Sequence, residues 1–319
     1  MKDAFAREIT YLRLSVTDRC NLRCRYCMPP AGTAGGLCSA GELLEIVRQA
    51  AACGIRKVRL TGGEPLVRPD ILDVCRGAAA TAGVEELCLT TNGTRLPAMA
   101  RPLREAGVDR LNVSLDTLRP DRFARLTGQD CLGDVLRGLE AAAEAGFTGT
   151  KLNVVLLAGF NEDEIRDFVE LARRYPLEVR FIELMPIGEG VHGKFLPAQA
   201  MLDACPELLP AGDGGVARRF RLPEGRGMVG LIAPMSHRFC TGCDRIRVTA
   251  DGKLKPCLHS GQEFPLRGLA GEGLRRELLA LGIPVSWRLL RGIAAKPASH
   301  RLTETGRSGT GRTMNQIGG

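Results

Sequence analysis

The stretch Leu12-Arg13-Leu14-Ser15-Val16-Thr17-Asp18-Arg19-Cys20-Asn21-Leu22-Arg23-Cys24-Arg25-Tyr26-Cys27 starts as a short strand and ends as a loop with three cysteines. The strand-like part, Leu12–Val16, is the first of six such runs. The others are Val58–Thr61, Leu87–Thr91, Leu111–Leu115, Leu152–Leu156 and Val179–Leu184. Segments of helical period lie between them: Ser39–Cys53, Pro69–Ala82, Leu96–Ala106, Cys131–Ala145 and Asn161–Arg174. Gly54, Gly83, Gly107 and Gly146 stand where helix C-caps belong. Strands alternating with helices predict parallel pairing through right-handed crossovers. Six units fall short of the eight that close a barrel. The expected fold is therefore α/β, a partial, open TIM-type barrel of about six βα units.

In parallel α/β folds the C-terminal ends of the strands carry the active site. Here those ends bring Cys20, Cys24 and Cys27, then Gly62, Gly63 and Glu64, then Thr91 and Asn92, then Asp116, then Met185. After Pro186 the rhythm stops. Residues 187–229, rich in Gly, Pro and Arg, read as linker or irregular structure. A hairpin follows, Arg245–Ala250 and Lys253–Leu258, turned by Asp251-Gly252. Final helices are expected near Glu272–Leu281 and Val285–Gly292, and the Gly- and Ser-rich tail reads by default as disordered. The division is 1–186 for the partial barrel and 187–319 for a C-terminal extension with its own cysteine group.

The chain of 319 residues has room for such a barrel, which takes ~200–250 residues, and an appendage. Its 44% apolar and 25% charged residues are those of an ordinary globular protein. No run of eighteen apolar residues predicts a membrane span, and the polar start, Met1 to Arg7, is no secretory signal. A cytoplasmic protein is expected. The net charge of +8 suits polyanions in general, while 4% aromatics argue against a base-stacking surface for nucleic acid.

Twelve cysteines in a reducing compartment point to metal or catalysis rather than disulfides. Cys38, Cys53, Cys75, Cys88, Cys131 and Cys205 are scattered. Cys53, Cys75 and Cys88 sit among apolar residues and read as small buried hydrophobes. Cys20, Cys24 and Cys27 are spaced to converge on one metal centre. A cubane closed by protein takes four cysteines, so three leave one iron open to a ligand. A three-cysteine zinc site with a remote fourth ligand is the competing reading. Cys240, Cys243 and Cys257 form a second triad, for which His237 or His259 could complete a Cys3His zinc site. Arg245 and Arg247, two apart in a strand, face one side and suit an anionic ligand.

The Cx3Cx2C loop with an aromatic before its third cysteine, together with Gly62-Gly63-Glu64-Pro65, resembles the signature of the radical S-adenosylmethionine (SAM) superfamily. The longer runs Leu12–Cys20, Arg59–Leu66, Asn112–Asp116, Phe181–Pro186 and Cys240–Leu258 resemble the MoaA-type GTP 3′,8-cyclases. That resemblance implies two 4Fe–4S clusters and SAM as cofactors, with Cys20, Cys24, Cys27, Cys240, Cys243 and Cys257 as the metal ligands. It implies conversion of GTP to (8S)-3′,8-cyclo-7,8-dihydro-GTP, the first step of molybdenum cofactor biosynthesis. A 5′-deoxyadenosyl radical would take hydrogen from C3′, and C3′ would then bond to C8 of guanine. Tyr26, Gly63, Ser114 and Met185 would contact SAM. Arg13, Arg59, Thr90, Lys151, Arg245, Ile246 and Arg247 would contact GTP, with Lys57 and Arg180 as further candidates. The second cluster would hold the guanine end, and the Gly-Gly tail would reach into the active site.

The same resemblance implies a low-potential electron donor, a MoaC-type synthase downstream, a homodimer, and no nucleic-acid or membrane partner. Asp244 departs from the family's Asn, and the region from His192 to Arg226 is short. Two other readings compete: a two-cluster radical SAM enzyme acting on a peptide, which usually needs more C-terminal cysteines, and a basic zinc protein binding nucleic acid.

Overall fold

A computed structural model describes residues 2–28, 36–192, 194–266, 287–300, 302, 306 and 308–318. Six βα units form its frame. The strands are β1 (Tyr11–Ser15), β2 (Lys57–Thr61), β3 (Glu86–Thr91), β4 (Arg110–Ser114), β5 (Lys151–Leu156) and β6 (Glu178–Glu183). The helices are α1 (Ala40–Ala52), α2 (Ile71–Ala79), α3 (Leu96–Glu105), α4 (Pro120–Thr127), α5 (Leu132–Glu144) and α6 (Ile165–Arg174). The start of α1 is set by a capping box, with Glu42 N donating to Ser39 Oγ (3.3 Å) and Ser39 N to Glu42 Oε2 (2.8 Å); such a cap contributes about 1 kcal/mol. Gly54, Gly107 and Gly146 have positive φ just past their helices, as their positions in the sequence required.

The sheet extends beyond the six expected strands. The C-terminal region adds β7 (Leu209–Gly214), β8 (Ala217–Arg221), β9 (Met228–Ile232), β10 (Arg245–Val248), β11 (Lys253–Lys255) and β12 (Phe264–Pro265). Among the described residues the order is β12-β11-β10-β1-β2-β3-β4-β5-β6-β9-β8-β7. β10 pairs parallel with β1, and β9 pairs parallel with β6. The partial barrel is thus open, as expected, but both of its flanks come from the C-terminal extension.

Two faces define the sheet, because side chains alternate along each strand. One face is aliphatic: Leu12, Leu14, Val58, Leu60, Leu87, Leu89, Leu111, Val113, Leu152, Val179, Phe181, Val229 and Ile246 are at most 1% exposed. They share one core with Leu43 and Val47 of α1, Val74 of α2, Leu103 of α3, Val135 of α5 and Phe168 of α6. Phe168 meets Phe181 edge-on at 6.3 Å, a contribution of about 0.5–1.5 kcal/mol beyond area burial. The other face is polar and basic.

Residues 187–229 differ from the expectation of irregular structure. They hold α7 (Gln199–Ala204), the β7–β8 hairpin and β9. Leu209-Pro-Ala-Gly-Asp-Gly carries no alternation because Gly and Pro blur it, and β7 is instead set by pairing with β8. In β8, Ala217 and Phe220 are buried while Arg218 and Arg221 are exposed. Helix α4 was also missed; Pro120 opens it and Gly128, at φ +74°, ends it. The hairpin at Asp251-Gly252 forms as β10–β11, and Gly252 has φ +78°. A helix at Trp287–Ala294 overlaps the one expected at Val285–Gly292, while Glu272–Leu281 lies outside the described residues. Residues 308–318 of the tail, read by default as disordered, are ordered and include a helical turn at Met314–Ile317. No helix among the described residues is long and apolar enough to cross a membrane.

Candidate active site

Both cysteine triads line one cavity of about 540 Å³ on the polar face of the sheet, the first at the C-terminal ends of the parallel strands and the second beyond the N-terminal end of β10. Its walls include every residue expected to meet SAM (Tyr26, Gly63, Ser114 and Met185). They also include Arg13, Arg59, Thr90, Lys151, Arg245 and Arg247, together with Lys57 and Arg180. Ile246 is the exception. Its side chain turns to the aliphatic face, fully buried in the core, while its neighbours Arg245 and Arg247 point into the cavity.

The first triad is built locally. Cys27 N donates to Cys24 O (2.9 Å), and the loop backbone is tied to α4 by Arg23 N to Thr127 O (2.8 Å) and Arg25 N to Leu126 O (3.2 Å). Gly63 N donates to Thr17 O and Glu64 N to Arg19 O, both at 2.8 Å. This approach is close enough to require glycine: a Cβ on Gly62 would lie 2.2 Å from Thr17 O, and one on Gly63 would lie 2.3 Å from Arg19 O. Glu64 is buried below the cavity. It accepts hydrogen bonds from Thr91 Oγ1 (2.7 Å), Asn92 N (2.6 Å) and Leu66 N (3.0 Å), so it braces the ends of β2 and β3. Burial pushes its carboxyl up to about 7 against the pull of these donors.

At this end Asp116 lies beside Cys24 and Cys27 and Glu64 beside Cys20, where Arg23 partly offsets it. Tyr26 OH donates to Asp116 Oδ2 (2.7 Å), and Val155 N to Asp116 Oδ1 (2.7 Å). Burial raises Asp116 to about 6. Burial, with Cys20 and Asp116 adding to it, pushes the Cys27 thiol up to about 12, and Cys24 rises likewise through burial and its neighbour Cys27.

The opposite end is cationic. β10, β1 and β2 place Arg247, Arg13 and Arg59 side by side in register, with Arg245, Tyr11 and Lys57 in the row before. Burial lowers Arg13 to about 10, and Arg59 and Arg245 push in the same direction. Arg247 is lowered as well, by burial and then by Arg13 and Arg245. Lys151 falls to about 8 through burial and then Arg180. Arg59 moves up despite its burial, because it donates to the Tyr11 hydroxyl. Lys57 pairs with Glu86, and Arg180 with Glu178 (2.6 Å), which also lies 3.9 Å from Lys151. Between the two ends, the buried carbonyl oxygens Asn112 Oδ1 and Asn153 Oδ1 have no hydrogen-bond partner among the described residues.

In the second triad, Cys243 is the thiol lowered to about 7: burial raises it, and Arg245 and Lys296 more than reverse that. His259 lines the cavity 4.7 Å from His300, whereas His237 lies exposed outside it. Among the described residues no three His, Cys, Asp or Glu side chains stand at the spacing of a single bound ion. Zinc would need its sulfurs about 2.3 Å from one point.

Two family models match the chain: the Radical SAM superfamily over residues 14–172 and Molybdenum Cofactor Synthesis C over residues 177–300. A GTP 3′,8-cyclase of Moorella thermoacetica is 45% identical over 332 aligned positions, covering all of both chains. One of Heliobacterium modesticaldum is 46% identical over 336, again covering all of both. The chain belongs to the GTP 3′,8-cyclase family. It is a radical SAM enzyme of molybdenum cofactor biosynthesis, and its cofactors are SAM and 4Fe–4S clusters. The crystal structure of Streptococcus suis SuiB bound to its precursor peptide SuiA superposes with a TM-score of 0.61 at 15% identity, over 95% of this chain and 67% of that one. That likeness supports the fold alone.

The donor sets fit a GTP 3′,8-cyclase's clusters: each end of the cavity presents three free thiols. At the first end Cys24 and Cys27 are shielded from water and lie near Asp116, and an iron core would supply the positive charge their thiolates need. The sequence reading missed several residues of the site. Tyr11 and Asn153 alternate with residues already singled out and could have been found by strand period. Lys296, His300 and Asn315 come from outside every motif, and no local signal marks them. The tail enters the site as the resemblance implied. Arg247 Nη1 donates to Gly318 O (2.7 Å), Asn315 Nδ2 to Asp18 O (3.1 Å), and Met314 and Asn315 line the cavity.

Proposed function

We propose that this cavity converts GTP to (8S)-3′,8-cyclo-7,8-dihydro-GTP, with Cys20, Cys24 and Cys27 holding one 4Fe–4S cluster and Cys240, Cys243 and Cys257 the other. The carrying observation is the cavity's polarity: acids beside one cysteine triad, arginines and lysines beside the other. When bound, the first cluster and SAM supply a 5′-deoxyadenosyl radical.

The chain's own residues divide the work. Gly62 and Gly63 let the strand end pack against the cysteine loop, and Gly63, Ser114, Tyr26 and Met185 form the pocket for SAM. Asp116, held by Tyr26 and Val155, places negative charge beside the sulfonium. Arg13, Arg59, Lys151, Arg245 and Arg247, gathered on one wall of the cavity, suit a polyanion: a triphosphate takes several charge-assisted bonds from guanidinium and ammonium groups. Thr90, within 3.4 Å of Arg59 Nη1, orients that guanidinium. Ile246, whose side chain lies in the aliphatic core, sets Arg245 and Arg247 on the cavity side of β10. The guanine faces the second triad, which directs C3′ of the ribose towards the first.

The boundary near residue 186 separates roles rather than folding units, since β9 and β10 extend the same sheet. The reading also carries a cytoplasmic place, a low-potential electron donor, a MoaC-type synthase that takes the product, and a homodimer. The test is anaerobic reconstitution with iron and sulfide, then SAM, reductant and GTP, followed by mass spectrometry. 5′-Deoxyadenosine together with a GTP isomer of unchanged mass supports the reading. 5′-Deoxyadenosine with GTP untouched removes the substrate assignment.

A further inference from the structure

The second cysteine group lies at the ends of β10 and β11 and spans residues 240–257, so something must hold its two parts at a fixed separation. Two buried cations from distant parts of the chain do so. Lys296, 3% exposed, follows the helix Trp287–Ala294. Its Nζ reaches Cys243 Sγ (3.3 Å), Arg245 O (2.7 Å) and Pro256 O (3.1 Å). An ammonium has three donors, and these three partners use all of them. One is a sulfur of the triad, one is the strand just after Cys243, and one is the residue just before Cys257.

Arg7 completes the clasp from outside. Asp3 fixes it, with Arg7 Nε donating to Asp3 Oδ2 (2.6 Å). Its guanidinium then donates to Cys240 O (2.9 Å), Pro297 O (2.7 Å) and Ala298 O (3.0 Å). The segment 296–298 is therefore tied to Cys243 and Pro256 on one side and, through Arg7, to Cys240 on the other.

We propose that Lys296 and Arg7 are positioning residues for the second cluster, Lys296 setting both its retention and its redox balance and Arg7 its retention only. This rests on the second triad being a cluster site. The distinction follows from what each touches. A cation donating to a cluster sulfur favours the more negative, reduced state and so raises the midpoint potential. Arg7 meets carbonyls and no sulfur. Residues that orient metal ligands typically change metal affinity by 10–100-fold when removed.

The experiment uses reconstituted full-length protein with both clusters, comparing wild type with Lys296→Met, Lys296→Arg, Arg7→Met and Arg7→Lys. Iron release to a chelator and EPR-monitored redox titration are the readouts. The SAM-induced change in the first cluster's EPR signal reports that the barrel is intact. Expected for Lys296→Met is roughly tenfold faster loss of about half the iron, a lower midpoint for the second cluster, and an unchanged SAM response; Lys296→Arg restores most of the midpoint. Arg7→Met accelerates the same loss without moving the midpoint of the iron that remains, and Arg7→Lys recovers part of the retention. The proposal is overturned if Lys296→Met retains iron and midpoint as wild type does, or if both clusters are lost together. Wild-type protein holding zinc or only about four irons would overturn the cluster reading of the triad instead.

Discussion

The two cysteine groups carry the same donors and live in opposite fields. Cys20, Cys24 and Cys27 sit within eight consecutive residues, next to Asp116 and above Glu64, and burial holds Cys24 and Cys27 far up. Cys240, Cys243 and Cys257 are spread out and clasped by Lys296 and Arg7, and Cys243 comes down to about 7. A sulfonium cofactor suits the first field and an anionic nucleotide the second. The two ends are thus told apart by what surrounds the thiols, since the thiols themselves are alike.

The largest expected effects break the comparison outright. Cys20→Ala should reduce 5′-deoxyadenosine formation to the background of cluster-free protein, with or without GTP. Cys257→Ala should leave SAM cleavage measurable, because the first triad is untouched, and abolish the GTP isomer. Mass spectrometry of both products separates the two; equal loss of both products in both variants would show that the two ends do not act separately. Next in size is Gly63→Ala. Its Cβ would meet Arg19 O at 2.3 Å, a backbone atom with no freedom to move alone. Overpacking of this kind costs about 1–3 kcal/mol, and it falls on the loop that carries the first triad. Iron analysis should show roughly half the wild-type content, with the second group still loaded.

Much of this was legible in the sequence because it is local. The six strands and five of their helices follow from hydrophobic period and from glycines such as Gly54 and Gly107 just past helix ends. The first triad and Gly62-Gly63 follow from spacing. What was illegible depends on pairing at a distance. β9 and β10 join the parallel sheet at opposite edges, and no periodicity says which edge. Lys296 and Arg7 act from positions 53 and 233 residues away from Cys243 and Cys240. One overlooked signal was available. A parallel strand covered on both faces normally reads as nearly continuous apolar sequence, yet Leu12-Arg13-Leu14 and Val58-Arg59-Leu60 alternate. Alternation in a parallel strand marks a face turned to a polar cavity, and it places Ile246 on the other side.

A smaller effect sharpens the cationic end. Arg13→Met removes one buried guanidinium while leaving the contact of Arg247 with Gly318 in place. A hydrogen bond to a charged partner contributes about 1.5–3 kcal/mol, so GTP affinity should weaken by roughly 10–100-fold. SAM affinity, read in the same anaerobic binding assay, should stay within about twofold. Arg247→Met should weaken GTP more than Arg13→Met does, since it also releases the tail at Gly318.

The smallest effect is a pH dependence carried by Lys151. Burial and Arg180 bring its ammonium down to about 8, so in the free enzyme it is charged at pH 7 and largely neutral at pH 9. A triphosphate favours the charged form and draws the value back up. Affinity for GTP is therefore highest below pH 8 and declines as pH rises through 8, by roughly three- to tenfold for one ion pair in a partly screened site. Binding between pH 8 and 9 takes up protons, which calorimetry in buffers of different ionisation enthalpy detects directly. The window lies above the second phosphate ionisation at about 6 and below the value of about 10 for Arg13, so neither interferes. Lys151→Arg should keep the affinity and erase both the decline and the proton uptake. If the decline persists in that variant, the titrating group is another, and the cationic end is less dependent on Lys151 than its place between Glu178 and Arg180 implies.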